Sequence, residues 1–266
     1  MRTIPLYAIK ATSISICLLL VTGSTFGTCI VVLRTPNMIV IASDTLFQEG
    51  KNNTWGYSHH CKIHSIDRKF FVLSGLSQDL ESDFMPVKIV SDVLRRQGRL
   101  KTQAEVASQR IEAPLLKAIQ RIYRDVSPEL SKRIIGGGSD EGTTMLQMAV
   151  VGIEEGVSKV IVVNFDKVVD ASGFPIGVKH DIALCPGKAC PDGKQGWWLG
   201  ERRAIDSRLS SSVPYWTGAY IKEAVGLVEL EATDKPDLVG KPIDVLLIRT
   251  VGQPKWIQKG ECPEND

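Results

Sequence analysis

The chain has 266 residues, 43% of them hydrophobic and 23% charged, and a formal net charge of +2. That composition excludes intrinsic disorder and collagen, the length allows one large domain or at most two, and a chain this long buries roughly 70–75% of the surface its unfolded form exposes without a disulfide or metal staple. So small a net charge offers no basic surface for nucleic acid, and neutral partners fit better.

The first 27 residues carry Arg2 and Lys10 and no acidic residue, followed by an uncharged, mostly apolar stretch from Ala11 to Gly23 centred on Ile16, Leu18, Leu19, Leu20 and Val21. This is the profile of a signal peptide. The apolar run falls short of the about 20 residues of an easy bilayer crossing, with an uncleaved anchor as the alternative. Thr25 and Gly27, small residues on either side of Phe26, place the cut before Thr28, with cuts after Ser24 or Gly23 as rivals. Cleavage at Gly27 removes two of the 32 basic residues and none of the 30 acidic ones, leaving a mature chain near neutrality. The expectation is an exported protein, periplasmic or secreted, with residues 1–27 as signal peptide, 28–266 as a single domain, and no membrane association after cleavage.

From Thr28 two β-rich apolar runs, Thr28 to Leu33 and Met38 to Ser43, flank a Pro36-Asn37 turn and predict a hairpin. Lys62 to Ile66 and Lys69 to Ser74, joined at Asp67-Arg68, predict a second, giving four strands before the first helix. Helical spacing of apolar residues then covers Gln78 to Arg96 and Gln103 to Asp125. Beyond a Gly136-Gly137-Gly138-Ser139-Asp140 loop, Thr144 to Gly152 and Lys159 to Phe165 predict a strand pair around Glu154-Glu155-Gly156. The region Asp166 to Gly196 reads as irregular. It leads to Trp197-Trp198-Leu199-Gly200, a helix, a further amphipathic helix over Val213 to Ala232, and closing strands at Ile243 to Thr250 and Trp256-Ile257. Strands, helices, strands, helices and strands without a separating linker make one α+β layered domain. The three glycines at 136–138 lack the strand and Lys-Ser/Thr of a phosphate loop and read as linkage.

Cys17 leaves with the signal, so Cys29, Cys61, Cys185, Cys190 and Cys262 remain, an odd number, and at least one is unpaired or bridges chains. Cys185 and Cys190 bracket Pro-Gly-Lys-Ala and can close a small disulfide loop. A structural zinc would need further ligands, and His180 is the only histidine nearby.

A threonine at a new chain terminus, opening a rigid strand, can supply its Oγ as nucleophile and its α-amine as base. That amine titrates near 7.7–8.0, and a nearby ammonium lowers it further. Lys62 is the candidate neighbour, and Asp44, at the end of the second strand, the carboxylate that would hold it. Gly75, where a strand ends, can turn a backbone N–H toward a developing oxyanion, or it can simply permit a turn. Cys29 would become the nucleophile if the cut shifted by one, but strand alternation points it away from Thr28. The same alternation puts His60, Lys62 and His64 on one face, either lining the pocket beside the nucleophile or as two surface histidines. Trp197 and Trp198 face opposite ways, and neither is assigned a site role.

The runs Gly27-Thr28-Cys29-Ile30-Val31-Val32, Ile39-Val40-Ile41-Ala42-Ser43-Asp44, Lys62-Ile63-His64-Ser65-Ile66 and Leu73-Ser74-Gly75 resemble proteasome β-type subunits, which are N-terminal-nucleophile (Ntn) hydrolases. Val239-Gly240-Lys241-Pro242-Ile243-Asp244-Val245 resembles a further stretch of that family. The resemblance implies a four-layer αββα sandwich and catalytic roles for Thr28, Asp44, Lys62 and Gly75. It also implies amide cleavage of a peptide, a small-amide acylase being the alternative, with no cofactor or metal, and assembly as a homo-oligomer. The Thr-to-Asp spacing matches without a gap, whereas Lys62 needs about two extra residues between Gln48 and His59. Glu201 follows Gly200 where the family has a serine, Val239 stands at another serine position, and Asp237 is out of register with the family's later aspartate. These departures favour a second reading, an inactive fold retained for binding or assembly.

Overall fold

Cys29–Thr35 (β1) and Met38–Asp44 (β2) form the expected hairpin, with Thr35 paired to Met38 across the Pro36-Asn37 turn. The computed structural model describes residues 27–51, 54–126, 143–188, 190, 195–210 and 217–262. The expected signal segment before Gly27, the glycine loop at 136–140 and the opening residues of the helix expected from Val213 lie outside the described residues. Every β1 residue is buried, because both faces of the strand are covered: Ile30 and Val32 point one way, Cys29, Val31 and Leu33 the other.

Leu46–Lys51 (β3) and Thr54–His59 (β4) pair only with each other, as a two-stranded ribbon. Ile63–Ile66 (β5) and Lys69–Gly75 (β6) follow. Six strands, not four, thus precede the first helix. Phe47, Thr54, Trp55 and Tyr57 favour strands, but the polar and glycine residues among them, Gln48-Glu49-Gly50-Lys51 and Asn52-Asn53, break the alternation and read as a loop. The helix expected from Gln78 begins at Pro86. The chain first makes a 3₁₀ turn at Leu80–Ser82 and a left-handed residue at Asp83 (φ 59°), and proline then suits the first helical position of Pro86–Leu94 (α1). Leu100–Asp125 (α2) comes next.

Thr144–Glu154 (β7) and Val157–Val169 (β8) pair as expected, with Glu155 and Gly156 at positive φ in the turn. The stretch read as irregular is corrected. β8 runs on to Val169, Asp170 Oδ1 accepts N–H bonds from Ser172 and Phe174, and Pro175–Cys185 (β9) returns along it. β9 is an edge strand whose residues are mostly half-exposed, so its pattern mixes Lys179, His180 and Asp181 with apolar residues. Gln195–Gly200 (β10), Arg203–Ser210 (α3), Tyr220–Asp234 (α4), Ile243–Arg249 (β11) and Lys255–Gln258 (β12) complete the described chain.

The strands make two five-stranded sheets, β10-β1-β2-β11-β12 and β5-β6-β7-β8-β9, and the recorded pairings are antiparallel. Three apolar clusters hold them. One joins the two sheets through Ile30, Val32, Ile39, Ile41, Phe70, Val72, Ala149, Val151 and Leu246. A second packs Phe71, Met148, Val150 and Ile161 of the second sheet against α1 and α2. The third packs Val31, Leu33, Val40 and Val245 of the first sheet against α3 and α4. Trp197 belongs with the inter-sheet cluster and Trp198 with the helical one, where its Nε1 donates to Asp206 at 2.7 Å.

Among the described residues two disulfides form, Cys185–Cys190 as expected and Cys61–Cys262, which joins residues 201 apart in sequence, and Cys29 is the free thiol. His180 turns to Glu112, 2.6 Å from its carboxylate, so it is no partner for Cys185.

Candidate active site

Thr28 sits just ahead of β1, buried to 2% exposure. Its Oγ1 accepts a hydrogen bond from Lys62 Nζ at 3.0 Å, and the same ammonium donates to Asp44 Oδ1 at 2.9 Å and approaches the Gly27 carbonyl at 3.5 Å. The structure therefore brings Thr28, Lys62 and Asp44 into one contiguous chain. Asp44 ends β2 and is fully buried. Besides Lys62, its Oδ1 accepts the Cys29 N–H at 2.9 Å, and its Oδ2 accepts those of Leu46 at 3.2 Å and Gly240 at 3.3 Å. A carboxylate with four donors is fixed in place and fixes what it holds.

Burial governs the electrostatics. It pulls the Lys62 ammonium below its usual range, with the charge of Asp44 acting against it, and pushes the Asp44 carboxyl up, with Lys62 opposing. The charge of Asp44 opposes that burial and holds the ammonium against the Thr28 hydroxyl, where it acts as a fixed positive charge. Burial first, and the charge of Asp44 second, raises the Cys29 thiol, which lies in the cluster facing α4. Cys29 is thus neither aimed at the cavity nor readily ionised.

Thr28, Lys62, His60, His64, Phe47 and Gln78 are among the residues lining a cavity of about 340 Å³. Both histidines line this cavity, His64 half-buried and His60 still exposed to solvent. His60 meets Phe47 edge-on at 5.0 Å, and His64 stacks on Phe71 at 4.8 Å, where burial lowers its pKa to about 4. Gly75 ends β6 between the cavity-lining Leu73 and Ser77, at φ 102°, where an added Cβ would lie 2.5 Å from the Met145 carbonyl oxygen. The backbone conformation alone therefore requires glycine here.

Several supports for Thr28 have roles that the sequence did not disclose. Gly200, at φ 86°, leaves no room for a Cβ against the Thr28 carbonyl and Ser74 Oγ. Its N–H is held by Gln147 Oε1 at 2.8 Å, and that turn aims the next N–H, of Glu201, at the Thr28 carbonyl at 2.8 Å. Glu201 thus supports Thr28 through its backbone, which any residue supplies. Its buried carboxyl is raised to about 7 by desolvation and then by the charge of Glu231. Val239 is buried in the cluster facing α4. Among the described residues one group of His, Cys, Asp or Glu gathers ligand atoms within 4.8 Å of one another, Cys61, Asp244 and Cys262, and its two sulfurs are joined in a disulfide. That leaves a single carboxylate as a metal ligand.

Neither a protein-family profile nor a curated protein matches the chain. Among solved structures, the Anbu complex from Pseudomonas aeruginosa, described as a helical assembly, is similar over 90% of this chain and 88% of that chain at 15% identity, with a TM-score of 0.51. The fold is shared with that protein. The Anbu (Gly-1) mutant from Hyphomicrobium sp. strain MC1 aligns over 88% of this chain and 89% of that one at 17% identity, with a TM-score of 0.47. The resemblance to proteasome β-type subunits is corrected by these findings. A solved structure that shares the fold over most of the chain is an Anbu protein, and the β-type assignment gives way to the coarser statement of a proteasome-like fold. The runs that carry the resemblance are short stretches around Thr28, Asp44, Lys62 and Gly75, too short to separate one proteasome-like protein from another.

Proposed function

We propose that the mature chain is an exported threonine-nucleophile amide hydrolase with a four-layer αββα arrangement. The layering rests on the inter-sheet cluster and the two helical clusters flanking it. Export rests on the sequence of residues 1–27 and on the two disulfides, which persist in oxidising compartments. The observation that carries the chemistry is the linked set Thr28 Oγ1, Lys62 Nζ and Asp44 Oδ1 at the floor of a cavity.

Removal of residues 1–27 frees the α-amine of Thr28. Thr28 Oγ then attacks the substrate carbonyl carbon, and its proton passes to that amine. The lysine charge next to the amine lowers its pKa and keeps a larger share of it neutral. The Gly75 N–H helps hold the oxyanion, the protonated amine returns its proton to the leaving nitrogen, and water releases the ester. A peptide is the favoured substrate on the strength of the resemblance, with a small amide as the other class. Val239 and Glu201, which depart from the serines of the motif, support the inactive reading, but the backbone N–H of Glu201 already holds Thr28.

A β-lactone, which esterifies an activated hydroxyl, tests the reading. Mature protein from an exporting host is expected to gain one lactone mass on Thr28, and Thr28→Ala none; equal labelling of both removes the proposal. The helical assembly described for the P. aeruginosa Anbu supports self-association here as well. Light scattering is expected to give a mass above the monomer, and a strictly monomeric chain would reject this part.

A further inference from the structure

Lys62 lies immediately before β5, a four-residue edge strand that pairs only with β6, and Ile63 opposite Val72 is its first paired residue. On the other side of Lys62 the β3–β4 ribbon belongs to neither sheet. The ladder therefore does not hold the residue whose ammonium reaches Thr28.

A second attachment stands next to it in sequence. Cys61 lines the same cavity as Thr28 and Lys62, and it is bonded to Cys262, buried in the inter-sheet core. The segment carrying Cys262 leaves β12 and folds over the fully buried Asp244 of β11, whose carboxylate accepts backbone N–H bonds from Gly260, Glu261 and Cys262. Gly260 packs so closely on Pro242 that an added Cβ would lie 2.5 Å from its Cγ. Pro242 in turn accepts the Thr45 hydroxyl at 2.9 Å, and Gly240 donates to Asp44. The structure thus closes a ring from Asp44 through residues 240–244 and the C-terminal segment to the disulfide and back to Lys62.

We propose that the Cys61–Cys262 disulfide, seated on Asp244, positions Lys62 for the chemistry at Thr28. Cys61, Cys262 and Asp244 are positioning residues: they fix where the backbone of residue 62 starts, and so where its ammonium ends. Asp244 adds a negative charge that favours the charged lysine, in the same sense as Asp44. A dithiol releases the clamp by giving up two electrons and two protons as it closes to its own disulfide, which leaves Cys61 and Cys262 as thiols. The Cys185–Cys190 bridge closes a loop after β9, on the far edge of the second sheet from β5, and is a built-in control.

The proposal rests on the Thr28 reading for its consequence, but its geometry is testable without turnover. In mature Cys262→Ala, mapped beside wild type and Cys185→Ala/Cys190→Ala, the Lys62 amine is expected to acetylate with acetic anhydride at least fivefold faster than in wild type. β-Lactone acylation of Thr28 is expected to slow at least tenfold, with its half-saturating concentration within twofold. The double variant should match wild type on both counts, and dithiothreitol on folded wild type should reproduce Cys262→Ala even if that variant folds poorly. Unchanged Lys62 acetylation after the bridge is opened, or free thiols at Cys61 and Cys262 in the wild type, would overturn the proposal. A wild type whose Thr28 is never acylated would instead defeat the hydrolase reading, and Lys62 acetylation would still decide the positioning claim.

Discussion

Two buried ion pairs among the described residues are built differently. Arg121 of α2 meets both oxygens of fully buried Asp79, at 2.7 and 2.5 Å, and reaches Glu81 at 2.6 Å, while Ser82 Oγ takes a further position on Asp79 at 2.5 Å. Its guanidinium is spent on fixed carboxylates, and the pair ties the 3₁₀ turn to the helix. Lys62 spends one bond on Asp44 and a second on a hydroxyl that faces a cavity. A planar fork suits the first task and a compact, titratable ammonium the second. On the proposed reading, a buried charge pair is a structural clamp when its donors end on charge, and part of a reactive centre when one ends on the hydroxyl of Thr28.

Breaking each pair separates the two roles. Lys62→Met or Asp44→Asn is expected to slow acylation of Thr28 by about 10²–10³-fold, the scale of a lost electrostatic partner at a reacting centre. Arg121→Met strands Asp79 and is expected to cost about 3–5 kcal/mol of stability. Acylation measured while that variant is folded should stay within twofold of wild type. A large rate loss in Arg121→Met, read against its denaturation curve, would erase the distinction.

A smaller effect sharpens the contrast through Glu201. Its folded pKa of about 7 lies above the ordinary 4.5, so the fold favours the protonated form. Its stabilising contribution is complete below about 4.5 and is lost as pH rises through about 7. Glu201→Gln should therefore be more stable than wild type at pH 8, by on the order of 1–3 kcal/mol, and close to it at pH 4. Urea midpoints at the two pH values check this, and equal midpoints at pH 8 would refute it.

What the sequence disclosed follows the same division. β1 and β2 were legible because a strand buried on both faces reads as an unbroken apolar run, and Lys62 and Asp44 because charges beside such runs stand out. The β3–β4 ribbon and β9 were hidden because a strand partly open to water tolerates the residues of a loop. The Cys61–Cys262 pairing could not be chosen among five cysteines, since connectivity depends on which ends the fold brings together. The roles of Gln147, Gly200 and Gly240 were hidden for a further reason, although both glycines stood in family-like runs: the glycines act through backbone N–H groups, which every residue but proline has, and all three roles exist only once the two sheets face each other.

The central claim is that Thr28 becomes a free terminus above Lys62 and acts as nucleophile. Intact mass with N-terminal sequencing of protein from an exporting host tests it most directly. The account predicts a chain beginning Thr-Cys-Ile-Val. A terminus at any other residue would leave Thr28 without its base and contradict the chemistry assigned to the site.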